Sequence, residues 1–236
     1  MNIEERLRTE RIGKLLLTFS VPSIISLVIT AVYNMVGQIF IGQGVGYLGN
    51  GATNVIYPLT QVALALGLMI GEGGANYISL HLGAGERDKV SHAAAASITT
   101  LLGCGIVLAA VYLALLKPIC TLFGATEQTL SYALDYGRII SFGMIWNVFS
   151  IGSTSLVRAD GQPGMATGGM IAGFVVNIIG NPVAIFLLGM GIKGAAWATI
   201  LGQMATAVVN IVALRRCRTI PLNRSSFSGC VGLIPA

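Results

Sequence analysis

One carboxylate leads the side chains able to hold a cation or carry a proton. Glu72 lies in the run GLMIGEGGANY, Gly67 to Tyr77, among Leu, Met, Ile, Gly and Ala, with no basic residue close in sequence. The remaining candidates are neutral amides and hydroxyls. Asn34 and Gln38 are four residues apart, as are Glu72 and Asn76, and Asn177 and Asn181. That spacing places each pair on one helix face as a polar stripe. Asn147, Thr199, Gln203 and Asn210 also interrupt apolar stretches. Buried away from water such groups are costly, so they face a bundle interior or an aqueous cavity and mark a path for substrate or ion. A single Asn or Gln also serves as a hydrogen-bonded contact between helices, worth about 0.6–2 kcal/mol. Three stripes on three segments point instead to a shared hydrated cavity.

The segments that position these residues are those of an integral membrane protein. The chain of 236 residues is 54% hydrophobic and 10% charged, against roughly 25% charged in a soluble domain. Its 31 glycines fit membrane helices, where Gly is more frequent than in soluble ones. Crossing the hydrocarbon layer takes about 20 apolar residues. Six segments qualify: 15–42, 54–82, 93–116, 130–157, 165–188 and 194–214. The expected fold class is therefore all-α, a polytopic membrane protein with six transmembrane helices. The intervening GQGVGYLGNGAT, GAGERDKVS, KPICTLFGATEQ, RADGQPG and GMGIK have loop chemistry. The opening MNIEERLRTERIGK mixes both signs of charge, and the apolar run after it outlasts a signal-peptide core. It is expected to stay as the first span.

Charge sets the orientation. With the N-terminus in the cytoplasm, the inner side holds Arg6, Arg8, Arg11, Lys14, Arg87, Lys89, Arg158, Arg215, Arg216, Arg218 and Arg224, eleven of the 14 Lys and Arg residues. The outer side holds Lys117 and Lys193, and Arg138 falls in the first turns of the fourth span. Eleven against two predicts cytoplasmic termini. The net charge of +5 thus reads as membrane topology rather than nucleic-acid binding. The organisation expected is a cytoplasmic segment 1–14, one helical domain 15–214 and a cytoplasmic tail or inter-domain connection 215–236. Asp135 and Arg138 read as an interfacial ion pair beside an aromatic girdle of Tyr132 and Tyr136. His81 and His92 read as headgroup-level residues. Gly67, Gly71 and Ala75 recur every four residues and predict close helix contact beside Glu72. Pro22, Pro58 and Pro182 each remove a helix hydrogen bond, giving the bent, Gly-rich helices that alternating access uses. Cys104, Cys120, Cys217 and Cys230 have neither metal-ligand nor disulfide spacing. No phosphate-binding loop, metal constellation or nucleophile–base pair is present, so the reading is a non-enzyme with no cofactor and no metal.

Three stretches then carry a resemblance: AVYNMVGQIFIGQGVGYLGNGATNVIYPL, GLMIGEGGANYISLHLGAGERDKV and LVRADGQPGMATGGMIAGFVVNIIGNPVAIFLLGMGIKGAAWATILGQ. In order and in loop length, residues 15–214 resemble the multidrug and toxic compound extrusion (MATE) family of cation-coupled antiporters. The resemblance implies two six-helix lobes with substrate taken up between them, of which this chain matches the first. It implies a cation site in that lobe, with Asn177 and Thr199 matching family positions. The acid of the first helix falls on Gly37 and the Asp of the fifth on Asn181, so both family carboxylates are absent. Pro22 matches a proline associated with bending of the first helix. Asn177, Asn181 and Thr199 could still ligate Na⁺ through neutral oxygens, more weakly than carboxylates would.

The function expected is H⁺- or Na⁺-coupled efflux of amphipathic, cationic drugs or toxic compounds across the plasma (inner) membrane. Glu72, Asn177, Asn181, Thr199 and Asn34 are the candidates for cation binding or coupling. Gln38, Asn76, Asn147 and Gln203 are assigned to the substrate cavity, and Pro22 to helix bending. Partners would be membrane lipid, a small amphipathic substrate, and a second six-helix lobe or a second copy, with no nucleic acid. One alternative is a lipid-linked oligosaccharide flippase of the same fold, which an Arg-rich cavity would favour. Another is a non-transporting truncated or accessory half-protein.

Overall fold

The computed structural model describes residues 34–215, except for the side chains of Arg87 and Asp88. Most of the first predicted span, Pro22, both predicted cytoplasmic ends, Cys217 and Cys230 lie outside the described residues. Two compact units divide the chain, Met1–Ile39 and Phe40–Ala236. The described part of the first is the helical stretch 34–39, which carries Asn34, Gly37 and Gln38.

All regular structure among the described residues is helical. It comprises α1 (34–45), α2 (Tyr47–Gly83), α3 (Arg87–Leu122), α4 (Glu127–Ala159), α5 (Pro163–Pro182) and α6 (Gly191–Arg215), with a π-helical turn, Val183–Leu187, continuing α5. The five helices from α2 onward are long and apolar enough to cross a membrane. They alternate in direction, so Gly83, Ala159 and Arg215 end at one side of the second unit. The helices outrun their predicted spans because polar first and last turns stay helical outside hydrocarbon. The expected loop GQGVGYLGNGAT shrinks to Gly46, whose φ of 86° turns the chain in one residue. The expected loop KPICTLFGATEQ is largely absorbed into α3, which runs through Pro118 to Leu122.

Local chemistry fixes the ends. Thr126 Oγ1 accepts from the Thr129 amide at 3.3 Å, and Thr129 Oγ1 accepts from the Thr126 amide at 2.9 Å, a reciprocal cap at the start of α4. Pro163 occupies the first turn of α5, where its missing amide hydrogen is harmless. Pro182 ends α5 for the converse reason. Without an N–H the ladder loses a rung and widens, so Leu188 donates to Val183 O at 3.0 Å.

Small residues bring the helices together. Gly67, Gly71 and Ala75 are all buried on α2, as their spacing predicted. A Cβ on Gly71 would lie 2.6 Å from Gly152 Cα of α4. Ile56, Ile78, Leu101, Met144 and Leu156 fill the core around this seam. Large apolar side chains such as Met69, Leu80, Val107 and Leu187 remain exposed, as on a surface built to meet lipid or another apolar body.

Candidate functional site

A buried amide–hydroxyl cluster forms where α5 crosses α6. A Cβ on Gly202 would sit 2.7 Å from Gly173 O, and one on Gly173 would sit 2.7 Å from Gly202 O. With no side chain at either position the backbones touch, which brings the neighbouring turns into hydrogen-bonding range. Asn177 Nδ2 donates to Thr199 Oγ1 at 3.3 Å, and Asn181 Nδ2 donates to Asn177 Oδ1 at 2.7 Å. Thr199 Oγ1 in turn donates to Ala195 O at 2.9 Å. Asn177 and Asn181 are 3% and 4% exposed, so their polarity is satisfied by each other rather than by solvent. Sequence spacing placed these three residues on two helices; the structure joins them in one chain of hydrogen bonds.

Tyr136 of α4 packs beside that chain and was missed. Its ring packs on the cluster of Ile41, Ile185 and Ala195, the last of which accepts the hydrogen bond from Thr199. The expected aromatic girdle therefore has Tyr136 half-buried against this cluster. The expected Asp135–Arg138 pair is also corrected, because Asp135 Oδ2 meets Lys193 Nζ of α6 at 3.2 Å. A neighbour three positions along one helix competes poorly with a long side chain arriving from another. The cluster offers only neutral oxygens, which suits a weakly held monovalent cation. Among the described residues no group of three His, Cys, Asp or Glu side chains could hold a metal.

Glu72 belongs to a different place. It follows Gly71 at the α2–α4 seam, and Ser155, one turn beyond Gly152, donates to its Oε1 at 2.8 Å. Ser155 is 4% exposed, but Glu72 itself is exposed. Depth along the helix suggested burial; the rotation around it turns the carboxylate out of the second unit's interior. Asn76, one turn on, is exposed beside it.

The other candidates are dispersed. Asn34 and Gln38 are exposed on α1, within the first unit. Asn147 and Gln203 are half-buried, and Asn147 Oδ1 is enclosed without a hydrogen-bond partner. Asn210, fully buried, acts as helix-to-helix glue. Its Nδ2 donates to Ser153 Oγ at 2.9 Å, Thr154 Oγ1 at 2.9 Å and Ser150 O at 3.3 Å, tying α6 to α4. His81 lies against Tyr77 and 3.8 Å from Glu86 in the α2–α3 turn. There the hydrogen bond from Lys89 to Glu86, 3.0 Å long, holds the Glu86 carboxyl below its ordinary value. Cys104 and Cys120 are free thiols.

Comparison with known proteins gives this arrangement its context. A family model described as MatE matches residues 22–183. The multidrug export protein MepA of Staphylococcus haemolyticus is 29% identical over 209 residues, covering 87% of this chain and 45% of that protein. The probable multidrug resistance protein YoeA of Bacillus subtilis is 28% identical over 204 residues, 84% of this chain and 44% of that one. A solved structure described as the inward-facing conformation of a multidrug resistance MATE family transporter of the MOP superfamily aligns with a TM-score of 0.76. Its identity is 26%, covering 83% of this chain and 44% of that one. The chain spans about half the length of the curated relatives it matches. Long apolar helices packed through glycine around buried amides thus match one lobe of the MATE fold. The chain belongs to the MatE family.

Proposed function

We propose that the chain is the N-terminal lobe of an antiporter that expels amphipathic, cationic compounds across the plasma membrane, driven by an H⁺ or Na⁺ gradient. Both termini face the cytoplasm in this reading. The observation that carries it is the hydrogen-bonded series Asn181–Asn177–Thr199 at the α5–α6 crossing. Amide and hydroxyl oxygens already gathered in a buried place need only rotate to face an incoming Na⁺. None of them exchanges a proton near neutral pH, so H⁺ coupling would fall to a carboxylate, and Glu72 is the acid placed far along a span. The two coupling ions therefore map onto two sets of residues.

Extrusion of a fluorescent lipophilic cation from cells producing the chain tests this. Asn177→Ala and Asn181→Ala are expected to reduce Na⁺-stimulated extrusion by about tenfold or more, the scale of losing one charge-assisted contact. Glu72→Gln is expected to remove any pH dependence. Variants that extrude as wild type does, with unchanged Na⁺ and pH responses, would take all three residues out of the coupling mechanism.

A further inference from the structure

We infer that Glu72 is a recognition carboxylate for the positive charge of a lipophilic organic cation, held in position by Ser155 and working apart from the Asn177–Asn181–Thr199 cluster. The inference rests on the efflux reading and assigns substrate charge and a coupling Na⁺ to different residues. Three observations lead to it. Ser155, itself 4% exposed, commits its hydroxyl to Glu72 Oε1 at 2.8 Å, so one oxygen is anchored to the interior of α4. Oε2 has no hydrogen bond or ion pair among the described residues, and no Lys, Arg or His there pairs with this carboxylate. Its surroundings on α2 are apolar and open. Met69 lies one turn before it at 66% exposure, and a Cβ on Gly73 would meet nothing within 4 Å.

An ionised carboxylate without a counter-charge beside apolar surface is costly. A ligand bringing a soft cation inside an apolar body offsets that cost and covers Met69 at the same time. A small hydrated ion would do neither. The polarisable thioether and the bare Gly73 backbone suit a bulky, weakly hydrated ammonium or phosphonium. Asn76, exposed one turn further along, offers an amide to any polar group the ligand carries. The anchoring glycines Gly71 and Gly152 keep α2 and α4 in contact, so Ser155 cannot drift from the carboxylate it orients. Ser155 is thus a positioning residue.

The test is equilibrium binding to the purified full chain in lipid nanodiscs. The probes are tetraphenylphosphonium, which is permanently charged, and triphenylphosphine oxide, a neutral aromatic relative. Glu72→Gln is expected to weaken tetraphenylphosphonium binding about ten- to a hundredfold while leaving the neutral probe unchanged. Glu72→Asp keeps the charge and is expected to stay within about tenfold of wild type. Ser155→Ala is expected to lower the charged-to-neutral affinity ratio by a few-fold, a selectivity change that simple loss of packing does not produce. Equal loss of both probes in Glu72→Gln, or no loss of either, overturns the recognition role while the efflux reading stands. Failure of the wild-type chain to bind either probe overturns the efflux reading and the recognition role together.

Discussion

Replacing Gly202 with alanine probes the contact on which the buried cluster depends. The new Cβ would stand 2.7 Å from Gly173 O and 3.1 Å from Asn177 Cβ. A carbon–oxygen contact needs roughly 3.3 Å, near the lower end of favourable non-bonded separations. The obstacle is a backbone carbonyl in a helix, which cannot swing aside. The helices must therefore separate by about 0.5 Å at this point, an overpacking strain of about 1–3 kcal/mol. The Asn177–Thr199 hydrogen bond, already 3.3 Å long, lies a turn away and would stretch beyond useful range. Gly168→Ala is the matched control, because its Cβ would meet nothing within 4 Å on the same α5. Both variants gain up to about 1 kcal/mol of helix propensity, so their difference isolates the crowding. At roughly 2–4 °C per kcal/mol for a chain of this size, Gly202→Ala should unfold roughly 2–12 °C below Gly168→Ala in the same detergent. Equal melting temperatures would refute the claim that bare backbone contact at Gly173 and Gly202 sets the α5–α6 crossing.

Two further outcomes follow from the geometry. Asn210→Ala should lower stability by roughly 1–2 kcal/mol, because three hydrogen bonds from α6 to α4 vanish together inside the core; thermal unfolding reads this directly, and efflux of bound substrate should survive at permissive temperature. The Glu86 carboxyl sits below its ordinary value of 4.5 chiefly through the hydrogen bond from Lys89. A depressed carboxyl contributes its stabilisation above the unfolded value and loses it as pH falls through the folded one. Amide exchange in the α2–α3 turn should therefore be flat from neutral pH down to about pH 5, after allowing for intrinsic rates, and rise only below about pH 4. Lys89→Met should move that rise upward.

Much of this architecture is legible in the residues because the bilayer imposes length. Apolar runs of 20 or more identify the helices, and the small residues Gly67, Gly71 and Ala75 announce a seam that the structure makes with Gly152. Asn177 and Asn181, four apart on α5, were visible as a stripe, and Thr199 as a matching hydroxyl on α6. What stayed hidden depends on partners distant in the chain. Ser155 meets Glu72 across 83 positions, and its only local signal is the hydroxyl-rich run SIGSTS, Ser150 to Ser155. Tyr136 was drawn to the interface by its charged neighbours Asp135 and Arg138. Its half-buried place against the core follows from Ile140, one turn on, which is 4% exposed. An apolar sequence context places Glu72 within a span but does not give its rotation about the helix, which the structure shows to be outward. The single-residue turn at Gly46 was obscured because five glycines in GQGVGYLGNG read as a long loop.

The central claim is that this lobe serves gradient-driven extrusion of cationic compounds through its buried oxygen cluster. Purified chain reconstituted in phospholipid vesicles, loaded with a fluorescent lipophilic cation and given an imposed Na⁺ or pH gradient, measures that flux directly. The account predicts gradient-dependent flux for the wild-type chain assembled with a second lobe or a second copy, with the Na⁺-driven part lost in Asn181→Ala. Flux that ignores both gradients, or no flux above empty vesicles, would contradict it.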